Sequence, residues 1–379
     1  MPRLQVGDIA RASGAALRQS CALSLEQQAV LRAMERCRTA ALGGHMHVCD
    51  SCGYAVPVYN ACRNRHCPSC QSLDQHRWLE RRRERILPVP YFHVVFTLPA
   101  ELRPLALAQR EAIYTLLMQA ASQTLLRLAH DPKRLGATPA ITMVLHTWTR
   151  ELSFHPHVHA IVSAGGLRMD EQPRWIRGNE RYLFPVKVMG KLFRAVFRRV
   201  LLAAIDAGTV HVPSDCETPM RTALFDKRWL VYAKRPFGGA DHVFSYLGRY
   251  THRVGISNAR LVRSDSNTVT FATKNGRSCT LPQVEFLRRL LLHVLPRGFH
   301  KIRHYGLASA SHVRLGSLEC ARSLLAPATT RPVSPAPQTW AECLLSLTGV
   351  DALRCPRCET GRLIRRPLTL APPAVMDTS

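Results

Sequence analysis

From Tyr91 onward the hydrophobic pattern switches repeatedly between a strand period of two and a helix period of 3.6, and the order of the switches leaves few folds open. YFHVVFTL reads as a strand and LALAQREAIYTLLMQAASQTLLRLAH as an amphipathic helix. AITMVLHTW and HVHAIV read as two further strands, PVKVMGKLFRAVFRRVLLAAIDAG as a helix and RWLVYAKR as a strand, with a helix around 241–252. The order β-α-β-β-α-β folds as an antiparallel sheet with two helices on one face, leaving the other face to receive a ligand. The fold class is α+β. Beyond it, 260–310 carries a strand pair around Asn275-Gly276 and a helix at 282–294.

Upstream, SLEQQAVLRAMERCRTAAL (24–42) predicts a helix with Ser24 as N-cap that stops before Gly43 and Gly44. A cysteine cluster follows, then a strongly basic helix at 71–87 closed by Pro88 and Pro90. The Pro, Ala and Thr rich stretch 325–339 has nothing with which to build a core and reads as a linker to a tail containing CPRC. The resulting division is 1–44 helical, 45–90 cysteine unit and basic helix, 91–258 central sheet, 259–322 extension, 323–339 linker and 340–379 tail.

With 52 Lys and Arg against 26 Asp and Glu, the chain is built for a polyanionic partner, and counterion release makes nucleic acid the leading one. No run of about 18 apolar residues spans a bilayer. Nothing at the N-terminus resembles an export signal, so a cytoplasmic, nucleoid-associated location is expected. The 13 cysteines are then reduced, and their spacing is read for metal.

Cys49-x2-Cys52 and Cys67-x2-Cys70 have the double-knuckle spacing that places four thiolates around one structural Zn²⁺, with no position left open for water. The alternative is a set of buried free cysteines. His45, His47, Cys62 and His66 lie close enough to replace a ligand or to hold a second ion. Cys355-x2-Cys358 is half of such a site, which His300 and His304 at helical spacing would complete; a lone CxxC is the plainer reading.

In FHPHVHAIV, His157 and His159 share one strand face while Val158, Ala160 and Val162 share the other. Two imidazoles so placed can converge on a divalent cation, or can line a polar sheet face. His155 is too far along the strand to join His159 on one ion, and Pro156 fits the strand entrance. His146, on the neighbouring strand, is the first candidate for a third ligand, its alternative being a hydrogen-bonded sheet histidine.

In SYLGRYTHR, Tyr246 and Tyr250 fall four apart, as do Arg249 and Arg253. Such a tyrosine pair usually packs; beside a cation-bound phosphate, a phenol becomes a nucleophile able to form a phosphotyrosine. Arg81, Arg82, Arg83 and Arg85 are either phosphate contacts or a solvated helix face. Tyr91, Phe92 and Trp148 are candidates for stacking on unpaired bases, with core packing the better reading for Phe92.

The HPHVH stretch, the YxxxY of Tyr246 and Tyr250 and the CRNRHCPSC block together resemble the two-tyrosine HUH transposases of rolling-circle insertion sequences. VVFTLP, LHTW, YLGRYTHRVGISN and FHKIRHYG are similar to the family too, so the likeness runs from about 45 to 310. The resemblance implies a ferredoxin-like antiparallel sheet as the HUH endonuclease core, preceded by a small zinc-binding domain. It implies Mg²⁺ or Mn²⁺ on His157 and His159, and Tyr246 and Tyr250 as nucleophiles nicking and rejoining single-stranded DNA at an element's end. Where relatives often carry Gly-Gln after the Trp of LHTW, this chain has Thr149 and Arg150. No GxxxxGK[ST] phosphate loop is present, so unwinding falls to host replication or helicase functions. The rival readings are a replication initiator or relaxase with the same chemistry, and a zinc-dependent DNA-binding regulator whose tyrosines only pack.

Overall fold

The computed structural model describes residues 4–70, 86–179, 181–237, 255–325 and 339–368. The helix expected around 241–252, and all but the last two residues of the basic helix expected at 71–87, lie outside them.

The elements that position the candidate site are, in chain order, α1 (Val6–Ser20), α2 (Leu25–Arg36), β1 (Gly44–Cys49), β2 (Ala55–Tyr59) and β3 (Tyr91–Thr97). There follow α3 (Arg110–His130), β4 (Ala140–Trp148), β5 (Phe154–Ser163), β6 (Gly165–Arg168), β7 (Arg174–Arg177), α4 (Val186–Asp206) and β8 (Val231–Phe237). The last are β9 (Leu261–Ser264), β10 (Thr268–Ala272), β11 (Ser278–Pro282), α5 (Gln283–Leu291), β12 (Ile302–Gly306), α6 (Ser317–Leu325), α7 (Trp340–Thr348) and β13 (Leu363–Pro367).

The four expected strands, joined by the unexpected β12, form one antiparallel sheet in the order β12-β4-β5-β3-β8. Alternation along the strands sends Val94, Phe96, Met143, Leu145, Val158, Ala160 and Val162 to one face, where α3 and α4 cover them with Leu117, Ala121, Leu125, Phe193 and Phe197. The helix expected from Leu105 to His130 is interrupted at Gln109, whose φ of −124° and ψ of 53° separate a short helix, Arg103–Ala108, from α3. Gly190 in α4 is needed because a Cβ there would collide with the Trp229 carbonyl.

The opposite face is not left wholly open, as the sequence had suggested. β12 adds an edge strand, and the chain then returns so that Leu307, Ala308, Leu318 and Ala321 cover Tyr91, Ala140, Val144 and Ile161. His146, His157 and His159 lie on this face outside that apolar cluster. β12 also overturns the helical spacing assigned to His300 and His304, since His304 sits in a strand, opposite Thr142.

A second core joins α1, α2 and α5 to the β11-β10-β9 sheet through Ile9, Leu17, Leu31, Met34, Phe271, Phe286 and Leu290. Ser24 caps α2 as expected, its side chain accepting from the Gln27 N–H in a capping box. α2 ends at Arg36 rather than Leu42, and its C-cap residue, Cys37, turns toward other cysteines. Asn275 and Gly276 take φ of 56° and 72° in the turn joining β10 to β11.

A third sheet has the order β13-β1-β2, so the tail returns to the hairpin that follows the N-terminal helices. No sequence signal pointed to this pairing, because a sheet edge accepts any extended segment by backbone hydrogen bonds alone.

Candidate functional site

Antiparallel pairing sets His146 of β4 directly opposite His157 of β5, and His159 opposite Val144. Cross-strand partners share a face, so three imidazoles meet. Their ligand-capable nitrogens all lie within 4.8 Å of one another. Nitrogens about 2.1 Å from one cation stand no more than about 4 Å apart, so the group needs shifts of only about half an ångström to close on an ion.

The tautomer of His157 follows from its surroundings. Nδ1 donates to the His155 carbonyl at 2.6 Å, and a carbonyl only accepts, so Nδ1 carries the proton and Nε2 keeps the lone pair. His159 Nδ1 is 2.8 Å from Nε2 of His93, whose ring stacks on it at 5.0 Å between centroids. Burial pushes His157 and His93 down to about 4 and His159 well below the usual histidine value, the neighbouring imidazoles adding to the effect on His159. All three are neutral at pH 7, the state in which imidazole binds a metal.

Other residues fix the rim. The Trp148 ring stacks on His146 at 4.5 Å between centroids. The buried His293 donates from Nε2 to the Leu152 carbonyl at 3.1 Å and accepts from Thr147 at 3.2 Å, holding the loop between β4 and β5. His155 accepts from Arg103 at 2.8 Å and is not one of the three histidines whose nitrogens converge. Of the stacking candidates, Phe92 is buried, and Tyr91 is buried with its hydroxyl accepting from the Leu87 N–H at 2.9 Å, so neither faces a base. Burial pushes the Tyr91 phenol up. Trp148 is half-buried.

Eight of the 13 cysteines form two groups of four. Cys37, Cys62, Cys67 and Cys70 are one, with Sγ–Sγ separations of 3.3 Å for 37–70, 3.5 Å for 62–70 and 3.6 Å for 67–37. Cys49, Cys52, Cys355 and Cys358 are the other, with 3.7 Å for both 49–358 and 52–355. Four sulfurs about 2.3 Å from one Zn²⁺ define a tetrahedron with edges of about 3.8 Å, so both groups fit the ion. This corrects the expected set: Cys49 and Cys52 do not share a site with Cys67 and Cys70. Each CxxC supplies two ligands from one turn, but the partners are chosen by strand pairing and by the end of α2.

Cys358 is held down to about 6, chiefly by the Gly361 N–H, which favours thiolate at neutral pH. His66 belongs to neither group: its Nε2 accepts from the Leu295 N–H at 3.2 Å, and burial pushes it down to about 3. His45 and His47 approach each other at 3.0 Å through Nε2, outside both groups.

A family profile described as "Putative transposase" matches residues 140–314, and one described as "Transposase zinc-binding domain" matches residues 9–98. The chain is 41% identical to "Putative transposase y4qJ" of Sinorhizobium fredii (strain NBRC 101917 / NGR234), over 99% of this chain and 98% of that protein. It is also 30% identical to "Transposase for insertion sequence element IS801" of Pseudomonas savastanoi pv. phaseolicola, over 86% of this chain and 80% of that protein. The chain belongs to the IS91/IS801 transposase family.

No solved structure matches. The transposase is thus one of a family of rolling-circle elements, with DNA as its partner and structural Zn²⁺ as the ion its cysteine groups fit. No helix among the described residues is long and apolar enough to cross a membrane. Of the residues singled out in the sequence, the structure brings together His146, His157 and His159. Tyr246, Tyr250, Arg249, Arg253, Arg81, Arg82, Arg83 and Arg85 lie outside the described residues. Sequence reasoning missed His93, Cys37 as a partner of Cys67 and Cys70, and the union of Cys49 and Cys52 with the tail. The histidine at 93 had a signal, its alternation with Tyr91 and Val95 along the YFHVVFTL strand; the cysteine partners had none.

Proposed function

We propose that the transposase nicks and rejoins single-stranded DNA by covalent phosphotyrosine chemistry, on a ferredoxin-like HUH core formed by the five-stranded sheet with α3 and α4. The observation that carries this reading is the convergence of His146, His157 and His159, the last two held neutral by desolvation, on a single sheet face of a transposase-family chain. His157, His159 and His146 would hold a divalent cation, Mg²⁺ or Mn²⁺, which when bound lowers the charge on a scissile phosphate. The ring stack of Trp148 and the His93 bond hold two of these imidazoles in orientation.

Tyr246 or Tyr250 then loses its phenolic proton and attacks phosphorus through Oη. The P–O3′ bond breaks, the 3′-oxygen leaves and takes a proton, and the 5′-phosphate stays on the tyrosine. The second tyrosine attacks the next strand end while the first still holds its adduct, and a returning 3′-hydroxyl reverses the first step. Single strands suit the site because the phosphate must enter in line between nucleophile and cation. Arg249, Arg253 and the arginines at 81, 82, 83 and 85 are assigned to phosphate contacts. The zinc-binding segment is assigned to gripping DNA, and unwinding to host replication or helicase functions.

The test is incubation with a labelled single-stranded oligonucleotide pool carrying the element's ends, with Mg²⁺ or Mn²⁺, followed by denaturing electrophoresis. A covalent adduct is expected, lost when Tyr246→Phe and Tyr250→Phe are combined. No adduct with any oligonucleotide under either metal would overturn the reading.

A further inference from the structure

The best-supported unassigned feature is the way the far end of the chain completes a metal site near its beginning. We propose that the transposase holds two zinc ions, and that the second, on Cys49, Cys52, Cys355 and Cys358, is shared between the β1–β2 hairpin and the C-terminal segment, closing both into one zinc ribbon. The matched zinc-binding segment ends at residue 98, so the tail's contribution extends beyond it.

Four observations carry this. The sulfurs at 49 and 358, 309 positions apart in sequence, stand 3.7 Å apart, as do those at 52 and 355. That is too long for a disulfide and close to the edge of a zinc–thiolate tetrahedron. Both CxxC turns aim backbone N–H groups at sulfur: Ser51 and Cys52 donate to Cys49 at 3.4 Å, Arg357 donates to Cys355 at 3.4 Å and Gly361 donates to Cys358 at 3.3 Å. These are the bonds that stabilise metal-bound thiolates, and they recur on two turns with no sequence continuity.

The halves also interlock beside the sulfurs. Asp50 N–H donates to the Arg362 carbonyl at 3.0 Å, and Arg362 N–H donates to Asp50 Oδ1 at 2.8 Å. β13 pairs with β1 from Cys49↔Leu363 to His45↔Pro367. A Cβ at Gly361 would run into Cys49 Sγ and Ser51 Cβ, so glycine there is what lets the turns close.

Finally, no residue of the β13-β1-β2 sheet belongs to any of the three apolar clusters among the described residues. Two or three short strands without a core are not stable alone in water, and a structural zinc ion supplies the missing cohesion. The ion thereby fixes the exposed Arg357, Arg362, Arg365 and Arg366 on the N-terminal part of the molecule.

The experiment uses the zinc-loaded full chain. Zinc released to a chromophoric chelator should count two ions per chain. Cys355→Ser with Cys358→Ser should leave one, as should Cys49→Ser with Cys52→Ser, and the quadruple variant should still hold one, on the Cys37 group. On the unaltered chain, where folding of a variant is not in question, N-ethylmaleimide followed by peptide mass analysis should find the four cysteines protected. Graded chelation should expose them in one step, with at least a ten-fold gain in rate at each. A count of one ion, a tail variant that keeps two, or Cys355 and Cys358 reacting freely while Cys49 and Cys52 are protected would each overturn the proposal. None of these readouts depends on strand cleavage, so they fail or succeed separately from the phosphotyrosine reading.

Discussion

The His155 carbonyl, 2.6 Å from His157 Nδ1, decides which nitrogen of His157 faces the cluster. Removing either ring takes away a proposed ligand of the divalent cation, so His157→Ala and His159→Ala are each expected to reduce adduct formation by at least about 100-fold. His93→Ala removes only the partner of His159 Nδ1, and the expected loss is about 10- to 100-fold in Mn²⁺ affinity, read by titration of the chain with the metal. Burial also sets a pH dependence through two histidines outside the cluster. His66 is pushed down to about 3 and His293 to about 4, so the unfolded chain binds protons more readily than the folded chain below the ordinary histidine value. Stability therefore falls as pH drops from about 6.5 toward those values, by about 2 kcal/mol per histidine between pH 7 and 5, which urea midpoints at the two pH values will check.

At the scale of elements, local signals and tertiary demands disagree where packing is closest. Gly190 sits in the second turn of α4, where helix propensity alone favours alanine by about 1 kcal/mol. The Trp229 carbonyl occupies the space a Cβ needs, and the Trp229 ring packs on Phe193 and Phe197. Gly190→Ala is expected to lower the melting temperature by several degrees instead of raising it. Ser24→Ala should behave as its local role dictates, costing about 1 kcal/mol by leaving the Gln27 N–H without its cap. The strands and helices of the central sheet were legible because their alternation is written residue by residue. β12 and β13 were not, since each is five residues long and acquires strand geometry from the edge it joins.

For the molecule as a whole, an excess of 26 positive charges makes the proposed binding to single-stranded DNA strongly salt-dependent. Six neutralised phosphates would give a slope of about −4 in log K against log salt, measurable by fluorescence anisotropy between roughly 50 and 200 mM KCl. Cys37→Ser should remove one zinc ion while sparing the other, because Cys37 belongs only to the group at the end of α2. The sequence by itself determined the run of the central elements and the common face of His157 and His159, because strand alternation is local and leaves no choice of side. It also determined that cysteine pairs would act together, since a CxxC turn brings two sulfurs close whatever surrounds it. Only the tertiary structure decided which pairs share an ion, and that His146 joins the histidines, because those partners meet through strand register and chain return. Backbone hydrogen bonding fixes that register between segments far apart in the chain, and it leaves no periodic trace in either of them.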